Sequence, residues 1–102
     1  MEGTLVRCMV LLEPAPNPRM NVGYVVARRA YTAVLRNRLR RLMREGFALE
    51  RTRLEDSLKR RSISASIIFM FKPHSSGHIR RLKLAPVSAE IAMHCKQLRE
   101  LL

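Results

Sequence analysis

Two periodicities of apolar residues divide the chain. Residues 4–12 (TLVRCMVLL) form an almost unbroken apolar, β-prone run. Glu13-Pro14-Ala15-Pro16-Asn17-Pro18 ends it, because three prolines offer no N–H to a ladder. Residues 22–29 (VGYVVARR) read as a second strand, and two such runs across a short turn-rich loop predict an antiparallel pair. The spacing then becomes helical. Leu35, Leu39, Leu42, Met43 and Gly46 fall on one face of a helix over Thr32–Leu49, with Thr32 as its N-cap. Past Gly46 the register drifts. Leu54 and Leu58 would point about 110° away from that face at ~100° per residue, which predicts a kink or a second short helix between about Gly46 and Arg61.

Residues 64–72 (SASIIFMFK) predict a third strand, closed by Pro73. Ile67, Phe69 and Phe71 lie on one face and Ile68 and Met70 on the other, so this strand is expected to need cover on both sides. Residues 74–86 read as a loop with a basic centre, Arg80-Arg81-Leu82-Lys83. Ser88 is the expected cap of a last helix with Glu90 in its first turn. Ile91, Cys95, Leu98 and Leu102 make that helix's apolar stripe. The order β-β-α-β-α predicts a single α+β domain over residues 1–102: a small sheet of about three strands, a basic helix in a β-α-β crossover, and a C-terminal helix. No run approaches the ~18 apolar residues of a membrane span, and no secretory leader pattern is visible. Two cysteines, Cys8 and Cys95, make no disulfide scaffold. A reduced cytoplasmic protein is expected.

Charge sharpens this picture. Of 20 basic residues 16 are arginine, against 8 acids, for a net charge of +12. Arginine's planar fork matches phosphate and stacks on bases, so the balance calls for a polyanionic partner, nucleic acid before membrane. The density peaks in the first helix: from Arg28 to Arg44 there are seven arginines and no acid. Arg36, Arg40 and Arg44 stand at i, i+4 and i+8, flanked by Asn37 and Arg41, opposite the leucine stripe. Cations near a helix N-terminus cost ~0.3–1 kcal/mol each, and like charges at i, i+4 repel. Phosphates along this face would relieve both conflicts, and Asn37 offers a donor and an acceptor to a base edge or ribose hydroxyl.

The run VGYVVARRAYTAVLRNRLRRLMREGF resembles the signature of the bacterial ribonuclease P protein component family. That signature reads Val-Gly, a short strand, a basic pair, Ala-Val-x-Arg-Asn-Arg-x-basic-Arg, then Arg-Glu-x-Phe. The chain matches it at Val22, Gly23, Arg28, Arg29, Ala33, Val34, Arg36, Asn37, Arg38, Arg40, Arg41, Arg44, Glu45 and Phe47. The strand ending Phe71-Lys72-Pro73 and the C-terminal amphipathic helix are also similar. The resemblance implies a ribonuclease P protein-like fold and two partners, the catalytic RNA of ribonuclease P and precursor tRNA. It implies RNA binding through Arg28, Arg29, Arg36, Asn37, Arg38, Arg40, Arg41 and Arg44, and contact with the 5′ leader beside the sheet. It further implies that the RNA, with Mg²⁺ that it mainly holds itself, hydrolyses the phosphodiester. The protein is then expected to bind no cofactor tightly, no membrane and no small-molecule substrate.

The chain departs from the family in three places. Tyr31-Thr32 stands where the family has Gly-Asn, which removes a permissive turn and predicts a different loop into the helix. Arginine replaces the usual lysine at 28, 29 and 40. The family's basic N-terminal helix with paired aromatics is expected to be missing from residues 1–102, since Met1 lies almost on the first strand.

Other constellations are weaker. Tyr24, Phe69 and Phe71 sit on strands and are the candidates for stacking leader bases, although core packing is the commoner fate of such residues. His74, His78, His94 and Cys95 lack the paired Cys-x2-Cys of a zinc site, so no metal site is expected. No carboxylate pairs with His or Ser at a catalytic spacing, so the protein alone is not expected to be an enzyme. The alternative is a generic basic RNA- or ribosome-binding module without a catalytic partner. A DNA-binding helix is disfavoured because no helix closely precedes the arginine helix.

Overall fold

The computed structural model describes residues 1–28, 31–73 and 81–102. Strands β1 (Val6–Pro14), β2 (Met20–Val26) and β3 (Ile63–Phe71) form one sheet in the order β1-β3-β2. β3 runs antiparallel to β1, from Val6↔Phe71 to Pro14↔Ile63, and parallel to β2, from Met20↔Ala65 to Val26↔Phe71. The expected β1–β2 pair is therefore corrected: the two are separated by β3. The proline loop arches over the start of β3 instead of closing a hairpin. Its Ala15 N–H donates to the Ser62 carbonyl (2.8 Å) on one side, and its Arg19 N–H donates to Ser64 Oγ (2.8 Å) on the other. The most apolar strand thereby gains a ladder on both edges.

The parallel β2–β3 pair requires a crossover, supplied by helices α1 (Ala33–Ala48) and α2 (Arg51–Arg61). Thr32 caps α1 as expected, its Oγ1 accepting from the Leu35 N–H at 3.3 Å. The expected break after Gly46 is observed as the separate helix α2. The last helix, α3, spans Leu84–Leu101. It starts a turn before the expected cap, which corrects the role given to Ser88: that hydroxyl lies inside the helix and donates to the Ala85 carbonyl (3.2 Å). Pro86 sits in the first turn, where no N–H is needed.

One face of the sheet carries the core. Val6, Cys8, Val26, Ala65, Ile67, Phe69 and Phe71 are buried against Leu35, Leu39, Leu42, Met43 and Phe47 of α1, Leu54 and Leu58 of α2, and Val87, Ile91, Cys95 and Leu98 of α3. The other face is open, with Met9, Leu11, Val25 and Ile68 exposed. Cover on both sides of β3, the expectation from its alternation, is not what the described helices provide. Tyr31, where the family has glycine, is buried, and its hydroxyl lies 3.5 Å from the Lys72 carbonyl.

Contacts with α1 and with the start of β1 fix α3. A Cβ on Gly46 would lie 3.1 Å from Ser88 Cα and 3.3 Å from Ile91 Cδ1, so the missing side chain lets α1 and α3 approach. Glu90 accepts from the N–H groups of Leu5 (2.9 Å) and Val6 (3.1 Å), and the buried His94 holds its Nε2 2.8 Å from the Val6 carbonyl. A carbonyl only accepts, so Nε2 carries the proton, and Nδ1 is buried with no hydrogen-bond partner among the described residues. α3 thus clips the start of β1.

Gly46→Val should destabilise the fold by ~1–3 kcal/mol through overpacking, read as a lower urea midpoint at unchanged m-value. Burial raises the Cys8 thiol to about 11 and the Cys95 thiol to about 12 by disfavouring the thiolate. Neither thiol should react with a disulfide reagent at pH 8 in the folded protein, and both should react in denaturant; fast native labelling of either would contradict its place in the core.

Candidate nucleic-acid interface

With its leucine face on the sheet, α1 must turn its arginines outward. Val34, Asn37, Arg38, Arg40, Arg41 and Arg44 line a surface groove of about 570 Å³. Val34 at its N-terminal end is 77 % exposed, an apolar patch in a basic groove that sequence reasoning did not single out. Arg40 Nη1 donates to Asn37 Oδ1 (3.1 Å), which orients both side chains. Arg41 faces Glu45 at a loose 3.8 Å with both side chains at least half exposed, so little of its charge is neutralised. Arg44 lies over the Tyr24 ring, 5.6 Å from its centroid.

The remaining arginines of this region differ. Arg36 points back, its Nη1 donating to the carbonyls of Arg28 (2.9 Å) and Tyr31 (2.7 Å), so it holds the end of the β2–α1 connection. Arg38 Nη2 donates to the Leu82 carbonyl, linking α1 to the segment before α3. These two roles were not legible in the sequence, because both acceptors are backbone atoms brought in by the fold. Arg28 is exposed; Arg29 lies outside the described residues, as do His74, His78 and Arg80.

The expected leader contacts need correction. Phe69 and Phe71 are 0 % and 1 % exposed, because odd-numbered residues of β3 face the helices, so neither presents a ring face to a base. Tyr24 shares that sheet face. It is half-buried, stacked on Phe69 with centroids 6.0 Å apart and rings 18° from parallel. Burial is the main cause of its raised phenol pKa. Among the described residues no three His, Cys, Asp or Glu side chains gather, and His94 is committed to Val6.

A family model described as Ribonuclease P matches residues 5–98, spanning every strand and almost all of α3. The chain belongs to the ribonuclease P family. Neither the search of curated proteins nor that of solved structures returned a match. Membership makes the chain a protein subunit of ribonuclease P, an endoribonuclease of tRNA processing, and the three-stranded sheet with its helices agrees with the family's fold. Among the described residues no helix is long and apolar enough to cross a membrane.

Arg36 and Arg41 should differ in what they contribute to the stability of this ribonuclease P subunit. Arg36→Ala loses two charge-assisted bonds at a partly exposed site and should cost ~1 kcal/mol in urea unfolding. Arg41→Ala should stay within ~0.5 kcal/mol.

Proposed function

We propose that this subunit binds the catalytic RNA of ribonuclease P through the α1 groove and assists cleavage of the 5′ leader from precursor tRNA. The observation that carries this reading is the groove itself. Four arginines and an asparagine converge on one concave surface, and Glu45 is the one carboxylate on the helix that presents it. Phosphates supply the missing counter-charge, and Asn37 and Val34 offer a polar and an apolar contact to a base or ribose.

Phosphodiester hydrolysis then belongs to the RNA with its Mg²⁺. The protein's part is affinity and charge screening. Precursor tRNA is the second partner, and the bacterial cytoplasm is the place of action. Tyr24 contributes through Arg44, which it holds beside the groove, rather than as an open stacking platform.

The test is reconstitution with a bacterial ribonuclease P RNA transcript. Added protein should raise precursor tRNA cleavage at low Mg²⁺, and protein without RNA should not cleave at any Mg²⁺ concentration. If the four groove arginines each meet one phosphate, they contribute about −2.8 to −3.6 to the slope of log K against log[salt], at ~0.7–0.9 per contact. Arg40→Ala should weaken binding and flatten the slope by ~0.7–0.9. Cleavage by RNA-free protein, or preferential binding of ribosomal RNA, would overturn the reading.

A further inference from the structure

A basic stretch, Arg81-Leu82-Lys83, leads into α3. Leu82 is buried in the core, while Arg81 and Lys83 on either side of it are exposed. The backbone at Lys83 is extended (φ −107°, ψ 170°), and in an extended chain neighbours of an inward residue point outward. Leu82 therefore anchors this segment and turns both cations to solvent. Its position is tied to the groove, since Arg38, a groove-lining residue, donates to the Leu82 carbonyl.

Among the described residues no carboxylate pairs with either cation. The sequence has no Asp or Glu between Asp56 and Glu90. Glu90 is engaged by the N–H groups of Leu5 and Val6. The Arg38–Leu82 bond joins two basic elements through a neutral carbonyl, so it fixes their separation without removing charge.

We propose that Arg81 and Lys83 form the second wall of an RNA-binding cleft whose first wall is the α1 groove, and that both cations contact phosphates of the bound RNA. This inference rests on the reading that α1 binds RNA.

The experiment compares three double variants of the full chain: Arg81→Ala/Lys83→Ala, Arg40→Ala/Arg41→Ala and Arg60→Ala/Arg61→Ala. Each removes two positive charges from the surface. The last pair is the control. It lies at the end of α2 that leads into the start of β3, while the cleft lies by the opposite end of that strand, about 25–30 Å away at ~3.3 Å per residue and roughly three to four Debye lengths at physiological salt. Affinity for a bacterial ribonuclease P RNA transcript is measured across a salt series, with thermal unfolding of each variant as the fold check. The Arg81/Lys83 variant should flatten the log–log slope by ~1.4–1.8, like the α1 variant, with the control near the parent. A parental slope for the Arg81/Lys83 variant beside a flattened α1 variant would overturn the second wall and leave α1 standing. A parental slope for the α1 variant would sink the underlying reading. Equal flattening in all three would mean diffuse attraction to a basic protein and would also overturn the proposal.

Discussion

The structure depends on the central position of β3. A strand paired in parallel with β2 and antiparallel with β1 is reached from β2 only by a connection that travels the length of the sheet. α1 and α2 are that connection. Once α1 lies across the sheet, its leucine stripe has one place to go, onto Phe69 and its neighbours, and the arginines at the intervening positions are forced outward. The basic groove is the solvent-side consequence of the crossover.

The groove keeps its charge because of the kind of partner its arginines have. Surface ion pairs orient a guanidinium but cancel its field, as where Arg99 meets Glu50 at 3.3 Å and Arg51 meets Glu55 at 3.4 Å. Around the groove, Arg36 and Arg38 are held by backbone carbonyls, Arg40 by an amide oxygen and Arg44 by a π-face. These carbonyls, the amide and the ring are formally neutral. They restrict side-chain rotamers, which lowers the entropy lost on binding, and leave the positive potential in place. The repulsion and dipole cost that the sequence predicted remain in the isolated protein, offset by burial of the opposite face.

Local signals were legible and non-local ones were not. Thr32, the leucine spacing and the drift after Gly46 report on neighbours within one or two helical turns, and they located α1 and the break before α2. The pairing of β1 is not encoded locally, because a proline-rich loop between two apolar runs looks the same whether it closes a hairpin or arches over an intervening strand. Ser88 is a good capping residue type, but the helix starts earlier, with Pro86 inside its first turn, where no N–H is needed. Phe69 and Phe71 were ambiguous because β3 is apolar on both faces, and alternation alone does not say which face meets the helices. The arginine face was readable as a pattern, but the separate fates of Arg36 and Arg38 depend on where the backbones of Tyr31 and Leu82 arrive.

The place of Leu82 follows in turn from Gly46. Without a side chain there, α1 and α3 approach until Ser88 Cα nearly touches the glycine's position, and this contact lies one turn inside α3. Glu90 and His94, on the next turns, clip the same helix to β1, so its direction is set as well as its distance. A helix fixed at Ser88, Glu90 and His94 has its first residue fixed too, and Leu82 lies only two residues before Leu84. The buried leucine and the Arg38 hydrogen bond take up that short remainder. An apolar contact between two helices thereby decides how far the segment carrying Arg81 and Lys83 lies from the arginines of α1. A change that splayed α1 from α3 would be felt at the basic surface while leaving every one of its side chains chemically intact.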